Sequence, residues 1–209
     1  MKFLESDIDF EFGTACLVKK FDEHRYYNIL SGSGLKGVDF IVLVECRQVV
    51  LIEAKNYKKR SFSPVPPDVS DLMGRPIPLA DHFASKLKDS LTLISVVNKF
   101  FRKKWWYWLY MKCWTLFPLA QQVKTDMGFW LRVHEILQDS KKGGSDSFDG
   151  PESNQALLAL LVIDFEDAYE AFENFESEIF KEHLRLDLKQ AIPEINARLA
   201  FPEKGRFRM

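Results

Sequence analysis

Asp39, Glu53 and Lys55 combine side-chain types and spacing that suit metal-assisted hydrolysis. They lie in GVDFIVLVECRQVVLIEAKNY, residues 37–57, where two apolar runs flank a short polar break. Val38 to Val44 and Val49 to Lys55 read as strands, joined by a turn at Glu45-Cys46-Arg47-Gln48. Both faces of each strand are apolar, as expected of central strands covered on both sides. Two carboxylates and an amine in such strands are expensive to bury unless something pairs them. A divalent cation does so. Hard oxygen donors suit Mg2+ or Mn2+, with Asp39, Glu53 and the Ala54 carbonyl as inner ligands and waters completing the octahedron. Such an ion makes a bound water more acidic and neutralises a phosphoryl oxygen. Lys55 would orient that water or stabilise the charge growing on a phosphate.

Side chains alternate along a strand, so Glu53 and Lys55 share a face. Asp39 joins them only if directly paired residue numbers add to an even number. That requires an odd connection, most simply three residues, or a bulge. A two-residue turn at Cys46-Arg47 would instead set Asp39 beside Ala54. Spacing alone fits an ordinary charged strand end and a turn aspartate equally well, because an Asp…Glu-x-Lys pattern arises easily by chance.

A longer stretch carries a resemblance. Gly37-Val38-Asp39 leads the first strand, and the apolar run Val49 to Ile52 ends in Glu53-Ala54-Lys55 with Tyr57 close behind. This pattern resembles the nuclease-related (NERD) domains and the type IV restriction endonucleases, branches of the PD-(D/E)xK superfamily, over about residues 10–95. The resemblance implies a restriction-endonuclease-like αβββαβ core, with a mixed central sheet flanked by helices, and a divalent-metal-dependent nuclease acting on DNA more readily than RNA. It also implies an acidic residue on a preceding helix that reaches the metal. Glu11 is the best match and Asp7, one turn earlier, the next. The helix after the site departs from the family: Gly74-Arg75-Pro76-Ile77-Pro78-Leu79 runs into Asp81-His82 with no Gln, and His82 is the candidate to stand in its place.

The elements that must position these residues follow from periodicity. Residues 5–20 are expected to form a helix with Ile8, Phe12 and Ala15 along one stripe, and Tyr26 to Leu30 a short strand before Ser31-Gly32-Ser33-Gly34. A proline-rich connection spans Ser61 to Pro78. Phe83, Leu87, Leu91, Ile94 and Val97 recur at helical spacing within a helix from Asp81 to Lys103. The aromatic block Trp105 to Leu119 is expected to supply a strand or buried connection, and Asp126 to Leu137 a helix. Gln138 to Gln155 reads as a surface loop and Ala156 to Phe165 as a buried strand. Glu166 to Lys189 reads as a helix with Phe165, Tyr169, Phe172, Phe175 and Ile179 as its stripe. The acids Asp164, Glu166, Asp167, Glu170, Glu173, Glu176 and Glu178 fit the solvent face of that helix. The expected architecture is α/β: one domain over 1–209, with a core of about 5–120 and a C-terminal extension, 121–209, that adds a strand and helix.

The 209 residues, 46% hydrophobic with 18 Phe and 5 Trp, exclude a disordered chain. A net charge of −1 argues against a general nucleic-acid coat, so any phosphate-binding surface must be local. Lys58-Lys59-Arg60 and Arg102-Lys103-Lys104 are candidates for it, against the plainer reading of solvated charge runs. Cys16, Cys46 and Cys113 are isolated and odd in number, which fits a reducing, cytoplasmic location. Met1 to Phe10 holds no signal-peptide core, and Trp105 to Ala120, interrupted by Lys112, is too short to span a bilayer, so no membrane partner is expected. Trp105, Trp106, Tyr107, Trp108, Tyr110 and Trp114 suit core packing, stacking on unpaired bases, or docking a protein partner or second copy through 105–117. The alternatives to a nuclease are a nuclease-like fold, weak or inactive in catalysis, that binds protein or nucleic acid, and, third, a peripheral membrane or structural protein using the Trp-rich stretch.

Overall fold

The computed structural model describes residues 1–21, 23–24, 34–57, 77–104, 106–114, 116, 118–142, 156–164, 174–193, 195–203 and 205–209. The strands are β1 (Lys2–Glu5), β2 (Ile8–Glu11), β3 (Cys16–Lys20), β4 (Phe40–Val44), β5 (Gln48–Asn56), β6 (Leu157–Asp164), β7 (Asn196–Ala200) and β8 (Arg206–Arg208). The helices are α1 (Ile77–Arg102), α2 (Trp106–Trp114), α3 (Leu119–Gln122), α4 (Asp126–Lys142) and α5 (Asn174–Ala191). The protein is therefore mixed α/β. A five-stranded sheet runs β3-β4-β5-β6-β7, and a three-stranded sheet runs β1-β2-β8.

The chain divides into two compact units. One comprises Met1–Thr14, Ile52–Ser85 and Ala159–Met209; the other comprises Ala15–Leu51 and Lys86–Leu158. The division falls within β5 and within α1.

In the second unit β3 pairs antiparallel with β4, Cys16 opposite Val44 and Lys20 opposite Phe40. Phe40, Ile41, Val42 and Leu43 are wholly buried, as are Val49, Val50 and Leu51, so both faces of these strands are covered. Apolar side chains at every position, not every second one, are what such burial selects. Three residues, Glu45, Cys46 and Arg47, separate β4 from β5. The Arg47 amide donates to the Val44 carbonyl at 2.9 Å, and Glu45 and Cys46 both take positive φ. That bond and those two φ values make a two-residue turn at Glu45-Cys46 with Val44 opposite Arg47, so the expected odd connection is corrected. A regular ladder from this turn sets Asp39 opposite Ile52, and only a bulge would return it to the face of Glu53. The Val49 amide donates to the Ala156 carbonyl. In the first unit the Tyr57 amide donates to the Asp164 carbonyl, so donors advance with acceptors and β6 runs parallel to β5.

α1 begins at Ile77, four residues ahead of the expected Asp81, and ends at Arg102. Its buried stripe includes Phe83, Leu87, Ser90, Ile94, Val97 and Phe101, spaced by three or four. α4 starts at Asp126 as expected, and the Thr125 hydroxyl accepts from the Gly128 amide at 3.1 Å, an N-cap. It continues to Lys142, taking in the start of the expected surface loop; residues 143–155 lie outside the described residues.

Three expectations are corrected. Residues 5–20 are not a helix: they complete β1, form β2 and make β3. Ile8, Phe10 and Phe12 are all buried, a period of two, and the positive φ of Ser6 and Asp7 gives the tight hairpin turn between β1 and β2. This replaces the leading helix of the expected αβββαβ core. Among the described residues of the block Trp105 to Leu119 the chain forms α2, on which Trp108 and Leu109 are exposed, in place of the expected strand or buried connection. In α5 the buried stripe is Phe180, Leu184 and Leu188, with Ile179 exposed, and Ile192 is buried just beyond. The C-terminal β7 and β8 were not expected, and β8 pairs parallel with β2. The expected strand Tyr26 to Leu30, the proline-rich connection up to Pro76 and the aromatics Phe165, Tyr169 and Phe172 lie outside the described residues. Among the described residues no helix is long and apolar enough to cross a membrane.

Candidate functional site

In the first unit, the C-terminal half of β5 carries the Glu-x-Lys pair. Alternation places Glu53 and Lys55 on one face, with Tyr57 continuing that face, and Ala54 and Asn56 on the other. Glu53 is only 1% exposed, and the Lys55 ammonium lies 3.0 Å from its Oε1. Lys55 itself is 30% exposed, so its stem spans from the buried carboxylate toward solvent. Burial pushes the Tyr57 hydroxyl above its ordinary pKa, and the negative charge of Glu53 pushes it further. Three polar groups of different character thus line one strand face: an acid, a cation and a phenol held protonated.

The other face of β5 is anchored. The Asn56 side-chain amide donates to the Ser6 carbonyl at 2.8 Å, fixing the β1–β2 turn against the end of the strand. In a parallel ladder the Tyr57-to-Asp164 bond sets Asp164 beside Asn56, on the face opposite Glu53. Asp164 is 1% exposed and ends β6. It is therefore not part of an acidic solvent face, as its place in the sequence run suggested. The signal available was its position directly after the apolar run LLALLVI.

In the second unit, Asp39 directly precedes β4 and is 9% exposed. Its carbonyl accepts from the Phe21 amide at 2.8 Å, and its Oδ1 lies 3.9 Å from the Lys86 ammonium. The Lys86 side chain is 16% exposed. Two further residues of α1 hold the approach to β4. The buried Ser90 hydroxyl accepts from the Val38 amide at 2.9 Å and donates to the Lys86 carbonyl at 2.8 Å. Asp89 accepts from the Lys36 amide at 3.0 Å. Sequence reasoning missed Lys86 and Ser90; Ser90 falls on the buried stripe of α1, where a polar residue between Leu87 and Ile94 was the available signal, and half-buried Lys86 lies one turn before it.

Glu11 stands on β2, not on a helix. It is flanked in register by Lys2 and Arg208, whose cationic groups lie 3.5 and 3.3 Å from its carboxylate oxygens. Asp7 lies in the β1–β2 turn, whose Ser6 carbonyl the Asn56 amide reaches. His82 is exposed near the start of α1. Lys58-Lys59-Arg60 lie outside the described residues, and Arg102, Lys103 and Lys104 are exposed at and beyond the end of α1.

Among the described residues no three His, Cys, Asp or Glu side chains gather where they could hold a metal ion. A set of two carboxylates and one backbone carbonyl falls below that count. Its donors are all hard oxygens, the chemistry Mg2+ and Mn2+ require.

A separate polar cluster sits in the second unit. Asp126 Oδ1 lies 3.1 Å from the Lys19 ammonium and 3.0 Å from His24 Nε2, and the His24 ring packs edge-on to buried Trp130 at 5.1 Å. Burial alone would raise the Asp126 carboxyl, but hydrogen bonds from His24 and Lys19 and their charges outweigh it and hold it well below the usual carboxylate range. The cluster joins β3 and the start of α4.

No family model, curated protein or solved structure matches this chain.

Proposed function

We propose that this protein is a divalent-metal-dependent nuclease that hydrolyses phosphodiester bonds of DNA. The observation that carries the reading is Glu53: a carboxylate 1% exposed in an interior strand, with a lysine two residues on at 3.0 Å. A buried ion pair is poor value for stability, since apolar residues of similar volume serve as well or better. Asp39, with its own lysine at 3.9 Å, poses the same problem. Retaining both acids and both amines suits a site that handles charge.

In this reading Asp39, Glu53 and the Ala54 carbonyl would hold Mg2+ or Mn2+, with a bulge in β4 or β5 returning Asp39 to the Glu53 face, and the ion would supply Lewis acidity at the phosphate and a more acidic water. Lys55 positions that water for attack and offsets charge on the phosphoryl oxygens. Lys86, 3.9 Å from Asp39 Oδ1, balances the charge of that carboxylate. Tyr57, kept protonated, is a potential donor on the same strand face as Glu53. The reaction adds water across one P–O bond and leaves a phosphate monoester and a hydroxyl. Glu11, which has cations of its own in the three-stranded sheet, is not required.

The test is incubation of the purified protein with supercoiled plasmid and Mg2+ or Mn2+. Nicking that depends on the ion and disappears in Lys55→Ala, with the circular dichroism spectrum unchanged, supports the reading. Absence of cleavage on DNA and RNA with either ion would sink it in favour of a binding module.

A further inference from the structure

Between Asp89 and Asp126 the chain has no acidic residue, yet it carries Lys99, Arg102, Lys103, Lys104, Lys112 and Lys124. All six are exposed. The rest of the chain must therefore supply the balance that brings the net charge to −1. Large apolar side chains are exposed in the same stretch: Phe100 (45%), Trp108 (63%), Leu109 (53%), Leu116 (81%) and Leu119 (43%). They lie at the end of α1, on α2 and in the connection through α3, all within the second unit. Exposed apolar side chains concentrated in one short stretch mark an interaction surface.

The chemistry of the stretch selects the occupant. A second copy of the same surface would set six cations against six. An acidic protein groove would accept the charge, but it would not by itself need five apolar side chains interleaved with the cations. Single-stranded nucleic acid would accept the charge and stack on aromatic faces. Here, however, the Lys112 ammonium sits over the Trp108 ring at 3.9 Å and the Lys104 ammonium over the Phe100 ring at 4.6 Å, so one face of each ring is occupied. Leu109, Leu116 and Leu119 have no ring to stack. A lipid bilayer surface uses every component: Trp at headgroup level, Leu and Phe at the acyl boundary, and lysine stems that keep their ammoniums among anionic headgroups.

We infer that the exposed residues Phe100, Trp108, Leu109, Leu116 and Leu119, with the cations among them, dock this protein on the surface of an anionic lipid bilayer, lying in the headgroup layer without crossing it. This goes beyond the nuclease reading and does not rest on it.

The test is flotation of the full chain with phosphatidylcholine vesicles, with and without 30% phosphatidylserine. Binding is expected to the anionic vesicles only, and to weaken with salt, because lipid and protein charges beyond a Debye length of about 8–10 Å at physiological ionic strength are screened. Two variants at exposed positions divide the contributions. Lys104→Glu with Lys112→Glu is expected to lower the partition coefficient at least ~tenfold. Trp108→Ser with Leu109→Ser is expected to do the same while keeping the thermal midpoint within a few degrees. Equal binding to neutral and anionic vesicles, no binding to either, or full retention of binding in both variants would each overturn the proposal. So would capture of a single-stranded oligonucleotide, lost in the same variants, by a protein that ignores vesicles. Plasmid nicking by the two variants reports separately on the nuclease reading.

Discussion

The Lys55 ammonium lies 3.0 Å from Glu53 Oε1, and the two residues sit two positions apart on one face of β5. Only the lysine reaches solvent; the carboxylate is 1% exposed. Lys55→Met removes the ammonium from beside a buried charge and is expected to lower stability by roughly 1–3 kcal/mol, less than for a fully buried pair. Replacing both, Glu53→Leu with Lys55→Met, is expected to recover that loss in a urea melt. A double variant less stable than the single would mean that the pair is kept for the fold.

Tyr57 reports on the same face. Its hydroxyl is raised first by burial and then by Glu53, so it is expected to titrate above the ordinary tyrosine value of about 10 in an alkaline absorbance titration. Glu53→Gln removes only the charge contribution and is expected to lower the Tyr57 midpoint part of the way. Because the folded pKa lies above the unfolded one, the associated stability is present below about pH 10 and is lost as pH rises through the folded value. An unmoved midpoint in Glu53→Gln would separate the two groups.

Ser90 ties α1 to the residue before Asp39. Ser90→Ala leaves the Val38 amide without its acceptor at 2.9 Å in a buried place and is expected to cost about 1–3 kcal/mol. Faster hydrogen exchange at the Val38 amide, read by NMR, is the specific signature; a purely global loss of protection would not support this role.

Asp126 is held below the usual carboxylate range, so its contribution is present above the unfolded value of about 3.9 and is lost as pH falls below it toward the folded pKa. Asp126→Asn is expected to destabilise the protein by about 1–2 kcal/mol at pH 7, a figure reduced for its partial exposure. The gap from wild type should narrow as pH drops below 4. A gap of constant size across that range would locate the effect elsewhere.

The β4–β5 hairpin was legible because apolar side chains at nearly every position can only satisfy strands covered on both faces. α1 was legible because its stripe repeats over many turns. The N-terminal strands were not, for a specific reason: Ile8 and Phe12 are four apart and fit a helix and a strand equally. Phe10 decides between them, since a helix would turn it to the far side, and it is wholly buried. α2 was obscured by its aromatics, which favour strands locally. The spacing of Trp108 and Lys112, four apart and stacked at 3.9 Å, was the helical signal. At the site, Asp39, Glu53 and Lys55 could be picked out by residue type, but Lys86 could not, because its partner lies 47 positions away in the chain.

Manganese binding read by electron paramagnetic resonance tests the central claim most directly. Wild-type protein is expected to take up one Mn2+, displaced by excess Mg2+, and both Asp39→Asn and Glu53→Gln are expected to lose it while remaining folded. Failure of the wild type to bind the ion, or its undiminished retention in both variants, would contradict the account.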